Sequence, residues 1–329
     1  CHKFRNMFSR ILKKQNKLKR SILKLLNVYA YDKETLNIVN PNFNNVKGNL
    51  IDFNNKSFNF SRGYLELTRK IKNIDIFFRY SPNNNLWNST DRWKRIVPDI
   101  DKKTLISVCL ISLKDSILYF LNEHKVDLSF HLVSDNSSND FDNLLLTILD
   151  DKKIKIFNHK SKIPGNRGSF LECCDQAEVS KDLIFFIEDD YLFEIECIDE
   201  MILTFSRLSS MLKTDVMMCP CDYPFYYDSL YKTVLHLGKR NRWRNVEETL
   251  LTLMFSKKTF HNYKSNIRKI GETINTPFEL PLHEIYKKEI CVAPISTLAH
   301  HISRSVPSIN EDWQKTWDLN YQKFKKNYY

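Results

Sequence analysis

The stretch Asp182-Leu183-Ile184-Phe185-Phe186-Ile187-Glu188-Asp189-Asp190 runs from an apolar segment directly into three carboxylates. A continuous run of Leu, Ile and Phe is typical of a strand buried on both faces of a parallel sheet. Three carboxylates where such a strand ends are costly to bury unless a cation binds them. In open α/β sheets, ligands bind at this carboxyl edge. The stretch therefore predicts an α/β fold whose sheet edge holds a divalent metal and a diphosphate.

Strands and helices alternate on both sides of this stretch. The apolar pattern predicts strands at Leu105–Ile111, Leu128–Val133, Ile154–Phe157 and Val216–Cys219, and helices at Asp115–Asn122, Asp140–Leu149, Ser169–Val179 and Ile198–Lys213. Such alternation predicts a mostly parallel sheet with helices on both faces. Right-handed crossovers would then bring the strand ends that carry Asp135 and Asp190 to the same edge of the sheet.

The composition and the distribution of charge define the class of protein. The chain has 329 residues, of which 42% are hydrophobic, and this is enough for a globular α/β body. No run reaches the ~18–20 apolar residues of a membrane-spanning helix. Eight cysteines without metal-binding spacing are typical of a reducing compartment, which predicts a cytoplasmic protein.

The net charge of +11 is concentrated at the start of the chain. Residues 1–31 contain nine Lys or Arg and no acid, whereas the other 298 residues carry 41 basic and 39 acidic groups. Apolar residues at helical spacing there predict a basic amphipathic helix. Such a helix binds an anionic membrane surface, which would place the protein peripherally at an inner membrane face, or else it packs on the body. No nucleic-acid-binding signature follows, so we expect no nucleic-acid partner.

Three further segments carry residues suited to binding a phosphorylated ligand. Asp135 follows the predicted strand Leu128–Val133, where a carboxylate either accepts hydrogen bonds from a nucleotide or caps the next helix. Arg167 lies in the glycine loop 165–168, which either binds phosphate at a helix start or is a plain turn. His300 and His301 follow a strand-like run and are either metal ligands or ordinary structural histidines.

The chain contains, in this order, Asp135-Asn136-Ser137-Ser138, the loop and helix of 165–177, and the strand ending in Glu188-Asp189-Asp190. This order of segments resembles that of GT-A glycosyltransferases, in particular family-2-like nucleotide-sugar transferases. The resemblance covers roughly residues 103–306. It implies a Rossmann-like GT-A sheet divided into a nucleotide-sugar-binding half at 103–220 and an acceptor-binding half with a closing segment at 221–329. The N-terminal helix of 1–31 and an extension at 32–102 would pack outside this core.

The resemblance also implies an activity and a role for each site residue. The enzyme would move a sugar from a nucleoside-diphosphate donor, with UDP favoured, to a glycan or glycolipid acceptor. Asp190 would bind Mn²⁺ or Mg²⁺ with help from Glu188 or Asp189, and His300 or His301 would be a further ligand. Asp135 would contact the base, and Arg167 would lie near the base or the diphosphate. The chain departs from the family in having Glu-Asp-Asp instead of Asp-x-Asp.

Transfer with inversion needs a carboxylate that accepts the proton of the acceptor hydroxyl. The candidates are Glu279 and Asp222, with Glu279 preferred, and Glu247 and Glu248 are also open.

Two other functions remain open. A sugar nucleotidyltransferase shares a similar sheet but wants a glycine-rich loop after its first strand, and Leu113-Lys114-Asp115-Ser116 is no such loop. The other is a catalytically inactive protein, either one whose body only binds nucleotide sugars or one that acts through residues 1–31 by binding a membrane surface or nucleic acid.

Overall fold

The computed structural model describes residues 36–38, 57–60, 63–83, 97, 100–227, 233–302 and 312–328, with side chains from residue 67 onwards. The basic helix predicted for residues 1–31 lies outside these ranges. The strands are β1 Leu36–Ile38, β2 Ser57–Phe60, β3 Gly63–Glu66, β4 Asn73–Tyr80, β5 Asp127–Ser134, β6 Lys155–Lys160, β7 Leu183–Glu188, β8 Tyr191–Phe193, β9 Met217–Met218, β10 Thr233–Leu237, β11 Arg242–Asn245, β12 Leu253–Ser256, β13 Cys291–Pro294 and β14 Ala299–His301. The helices are α1 Lys102–Glu123, α2 Asn139–Leu149, α3 Asn166–Ala177, α4 Cys197–Leu212, α5 Lys257–Glu272, α6 Leu280–Tyr286 and α7 Trp313–Tyr328.

A large mixed sheet forms the centre of the molecule. Within the described part of the chain it has ten strands in the order β1-β10-β11-β13-β9-β12-β7-β4-β5-β6. Five of its nine neighbouring pairs are parallel, and these include the continuous block β7-β4-β5-β6. This α/β architecture agrees with the predicted Rossmann-like fold. Because the block is parallel, the carboxyl ends of its four strands meet at one edge of the sheet.

Strand β4 is central to this block. It pairs with β5 along its full length and with β7 on its other side, and Ile76, Phe77 and Phe78 are fully buried. From the sequence alone these residues are expected in the extension at 32–102, outside the core. The pairing corrects that interpretation, because β4 lies inside the sheet and is the first strand of the parallel block.

The strand predicted at Leu105–Ile111 is wrong, because these residues form the first half of α1. The helix begins after Asp101, whose side chain accepts a hydrogen bond from the Thr104 amide at 2.7 Å. Its residues from Leu105 to Leu113 are buried on every side, so they show no helical periodicity. A short continuous apolar run does not distinguish a buried helix from a buried strand. By length and composition α1 could cross a membrane, but about two thirds of its most apolar window is buried inside the protein.

Helices cover both faces of the parallel block. The connections β4–α1–β5 and β5–α2–β6 move across the sheet in one direction, whereas β6–α3–β7 returns past β5 and β4. Right-handed crossovers in opposite directions put their helices on opposite faces. Helix α1 packs with α2, α4 and α7, and α3 packs on β4 to β6 with α5 beside it. The predicted elements at 128–133, 140–149, 154–157, 183–187, 198–213 and 216–219 are confirmed within a few residues of their ends.

Candidate functional site

A cleft of about 650 Å³ lies at the carboxyl edge of the parallel strands. One wall is built from the strand ends and the start of α3, and the opposite wall comes from the segments 248–251 and 277–279. Seven of the sequence-predicted residues line it, namely Asp135, Glu188, Asp189, Asp190, Glu248, Glu279 and His301. The volume lies in the range of small-molecule sites in proteins.

Asp190 and His301 meet at the floor of the cleft. His301 belongs to β14, which pairs with β8 so that His301 lies opposite Tyr191. Its Nε2 is 3.3 Å from Asp190 Oδ2, and its ring stacks on that of Tyr191 at 4.8 Å. Burial alone would raise the pKa of Asp190, but the neighbouring His301 and Lys102 lower it to about 2. Asp190 therefore stays ionised at neutral pH.

The second carboxylate oxygen of Asp190 is a candidate metal ligand. Oδ1 is buried and has no hydrogen-bond partner within the described ranges. A buried anionic oxygen without a partner is unfavourable unless a cation or a ligand satisfies it. With the imidazole of His301 beside it, this set of donor atoms fits a divalent cation such as Mn²⁺, whereas Mg²⁺ would use the carboxylate and water.

Glu188 and Arg79 form an ion pair at the end of β7 and β4. Arg79 Nη2 donates to Glu188 Oε1 at 2.5 Å, and Arg79 Nη1 donates to Asn166 Oδ1 at 2.6 Å. Arg79 is only 4% exposed, and its guanidinium joins two strand ends to the start of α3. Sequence reasoning missed this residue. The available signal was a single arginine within the apolar run Ile74–Tyr80.

Asp189 has a different role from its neighbours, because both of its carboxylate oxygens are bound within the protein. Lys102 Nζ donates to Oδ1 at 2.6 Å, and the Ser81 amide donates to Oδ2 at 2.8 Å. Both charged groups are nearly buried. Asp189 therefore ties the end of β7 to the end of β4 and to the first turn of α1.

Asp135 and the glycine turn form the far end of the same wall. Asp135 Oδ1 accepts a hydrogen bond from the Gly165 amide at 2.9 Å. Gly165 has a φ of 90°, a conformation that favours glycine, and it precedes α3 directly. The predicted loop is therefore shorter than expected, because Asn166, Arg167 and Gly168 already belong to the helix.

Arg167 does not line the cleft, whereas the family resemblance implies a position near the base or the diphosphate. It is exposed, and its Nε donates to the Gly271 carbonyl at 3.0 Å. A Cβ added to Gly271 would lie 2.5 Å from Leu171 Cγ and 2.7 Å from the Arg167 carbonyl oxygen. Helices α3 and α5 thus touch at a point where only glycine fits.

Glu279 organises the opposite wall. It is 2% exposed and accepts hydrogen bonds from the Thr249 amide at 2.9 Å, the Thr249 hydroxyl at 3.1 Å and the Leu251 amide at 3.4 Å. Burial raises its pKa to about 7. The loop that it holds is strained, because Leu250 and Leu251 have φ angles of 51° and 61°. Left-handed conformations of such residues concentrate at functional sites.

Two other predicted residues, His300 and Asp222, do not line the cleft. His300 Nε2 lies 2.7 Å from Glu194 Oε1, on the other side of β14 from His301. Asp222 is buried and accepts a hydrogen bond from the Tyr227 hydroxyl at 2.6 Å. Burial raises the pKa of Asp222 to about 6. Glu248 does line the cleft, and burial raises its pKa as well.

No protein-family model matches the chain, and no curated protein matches it. Among solved structures, it is similar to the glycosyltransferase GlyE of Streptococcus pneumoniae, with 10% identity and a TM-score of 0.42 over 78% of this chain and 64% of GlyE. It is also similar to TarS of S. aureus, with 8% identity and a TM-score of 0.44 over 75% of this chain and 64% of that chain. A UDP-glucose pyrophosphorylase matches with 10% identity and a TM-score of 0.41, over 78% of this chain and 99% of the pyrophosphorylase chain.

The chain spans less than two thirds of the GlyE and TarS chains. The similar structures include both a glycosyltransferase and a pyrophosphorylase. Similarity at this level does not separate transfer of a sugar from transfer of a nucleotide.

Proposed function

We propose that the protein is a glycosyltransferase that moves a sugar from a nucleoside-diphosphate donor to an acceptor hydroxyl. The observation that carries this proposal is the buried Oδ1 of Asp190 beside His301 in the cleft, which has no hydrogen-bond partner among the residues that the structure describes. It supports a cation at the edge of a parallel sheet, where a diphosphate would also find the buried cationic side chain of Arg79. The donor class that fits is a nucleotide sugar, with UDP favoured.

The wall of strand ends would bind the donor. Asp135 and the Gly165 turn lie at one end of this wall and would hold the base or ribose through hydrogen bonds. Asp190 and His301 would hold Mn²⁺ or Mg²⁺, and a cation there stabilises the negative charge of the departing diphosphate. Arg79 is held by Glu188 and Asn166, so its charge is fixed next to that position.

The opposite wall would bind the acceptor. Glu248 and Glu279 are the carboxylates that line it, and a carboxylate there can accept the proton of an attacking hydroxyl. A pKa of about 7 at Glu279 suits a group that takes up a proton near neutral pH. Attack from the side opposite the leaving diphosphate would invert the anomeric carbon. A glycan or a glycolipid supplies a hydroxyl of this kind.

One feature weighs against a sugar nucleotidyltransferase. Such an enzyme would want a glycine-rich phosphate loop directly after its first strand, and the first strand of the parallel block is β4. The chain continues there as Ser81-Pro82-Asn83-Asn84-Asn85, and the next glycine in the sequence is Gly165. The residues after the actual first strand therefore favour sugar transfer.

The proposal is tested with Asp190→Asn and, as a matched control, His300→Gln. Nucleotide binding by calorimetry and donor hydrolysis are measured across common nucleotide sugars, with and without Mn²⁺. We expect Asp190→Asn to weaken Mn²⁺-dependent binding at least about 100-fold, because a metal ligand is lost, and His300→Gln to bind within about threefold of wild type. Equal binding by Asp190→Asn and wild type would refute the site. Pyrophosphate release from a nucleoside triphosphate and a sugar phosphate would instead show a nucleotidyltransferase.

A further inference from the structure

Three side chains with metal-binding atoms converge on the wall opposite Asp190. One ligand atom each from Glu248, Glu279 and His283 lies within 4.8 Å of the others. Glu279 immediately precedes α6 and His283 lies four residues later, a spacing that puts both side chains on the same side of a helix. Glu248 comes from the loop before β12. The hydrogen bonds from Thr249 to Glu279 fix this loop against the start of α6.

The charges in this group are not balanced by basic side chains. Across residues 100–227 and 233–302, no salt bridge to Glu248 or Glu279 is formed. His283 is the one member of this cluster that can carry a positive charge. His283 Nε2 is itself buried and has no hydrogen-bond partner in the same ranges. Two carboxylates and an unpartnered imidazole nitrogen thus share one small, partly desolvated space.

We propose that Glu248, Glu279 and His283 bind a second divalent cation, distinct from the cation at Asp190. An imidazole with two carboxylates is a donor set for Zn²⁺ or a similar transition metal, whereas Mg²⁺ and Ca²⁺ prefer oxygen ligands throughout. Three protein ligands leave one coordination position open, and Glu248 and Glu279 both line the cleft. The open position is therefore accessible to a ligand in the cleft.

The use of this cation rests on the proposed function. An acceptor hydroxyl in the cleft would occupy the open position, coordination would lower the pKa of that hydroxyl, and its proton would pass to the non-coordinating oxygen of Glu248. The bond between the metal and its protein ligands, in contrast, requires no donor and no acceptor. Metal binding can therefore be measured separately from transfer.

The test uses the full chain, freed of metal with a chelator and titrated with Co²⁺, which reports its ligands through visible absorption. The variants are His283→Ala, Glu248→Gln and Asp190→Asn, with Glu284→Gln as control because Glu284 lies beside His283 on the exposed side of α6. Glu248→Gln is isosteric and breaks no salt bridge, so it tests the site if His283→Ala folds poorly. Circular dichroism checks the fold of each variant.

We expect wild type and Glu284→Gln to bind two equivalents of Co²⁺. His283→Ala and Glu248→Gln should each lose one equivalent, with affinity reduced at least about 100-fold, and should retain the site that Asp190→Asn removes. Co²⁺ spectra and stoichiometry unchanged in both His283→Ala and Glu248→Gln would overturn the proposal. Two equivalents bound without any affinity for nucleotide sugars would support this site while refuting the proposed function.

Discussion

Asp222 shows how a single buried carboxylate affects stability without lining the cleft. Burial raises its pKa to about 6 from an ordinary value of 3.8, so the folded protein holds this proton more tightly than the unfolded chain. Between these values, stability falls as the pH rises, and above about pH 6 the ionised group destabilises the fold by roughly 2–3 kcal/mol. Asn keeps an acceptor for the Tyr227 hydroxyl and removes the charge.

We therefore expect Asp222→Asn to be more stable than wild type by about 1–3 kcal/mol at pH 7.5 and equal to it near pH 3.5. Urea unfolding at both values measures the difference. A stability difference of the same size at both values would contradict the pKa argument.

Two arginines, Arg79 and Arg167, show which site residues can be predicted from the sequence and which cannot. The sequence favoured Arg167 because it follows a glycine at a helix start. The structure instead buries Arg79 between Glu188 and Asn166, and this contact depends on β4 lying between β5 and β7. Pairing between distant strands cannot be predicted from local pattern. The position of Asp190 at a strand end could be predicted, because only the strand itself was needed.

Because Arg79 lines the cleft and Arg167 does not, we expect the substitution of Arg by Lys to affect nucleotide binding unequally at the two positions. Lys keeps the charge of Arg79 but cannot make the forked contact to two partners. Arg79→Lys should weaken binding of UDP with Mn²⁺ by about tenfold, and Arg167→Lys should leave it within about twofold. Calorimetry on both variants measures the two dissociation constants. A larger loss in Arg167→Lys than in Arg79→Lys would reverse the assignment.

At the scale of elements, the order of β5, α2, β6, β7 and α4 was predictable because each is amphipathic or bounded by polar residues. Only the second half of α1 was predictable, as the helix at Asp115–Asn122, since the buried first half lacks any periodicity. The positions of β4 and α1 depend on tertiary contacts, and Lys102 makes one of them. This lysine starts α1 and pairs with Asp189 at the end of β7.

The Lys102–Asp189 pair should be a structural connection between these elements. Lys102→Met leaves Asp189 buried without its cationic partner, so we expect a loss of about 3–5 kcal/mol of stability. Adding Asp189→Asn removes the unpaired charge and should recover more than half of this loss. A double-mutant cycle by urea unfolding measures the coupling. Additive effects of the two changes would show that the pair is not coupled.

At the scale of the whole molecule, the net charge is concentrated in one short segment of the sequence. The nine basic residues of 1–31 carry most of the net charge, and the rest of the chain is close to neutral. We expect deletion of residues 1–24 to weaken binding to anionic liposomes at low salt, because attraction to such a surface is electrostatic. Donor hydrolysis in solution should be unaffected. Co-sedimentation with neutral liposomes is the control, and unchanged binding to anionic ones would exclude a membrane role for this segment.

The contact at Gly271 has a consequence for the width of the cleft. Helix α3 begins in the cleft wall that the strand ends form, and α5 leads through the following segment to Glu279 in the opposite wall. The two helices meet at Gly271, where even a methyl group would collide with Leu171 and the Arg167 backbone. The distance across the cleft is thus influenced by a residue that does not line it. A larger residue at position 271 would push α3 and α5 apart and widen the cleft. The size of molecule that the cleft admits therefore depends on a residue outside the cleft.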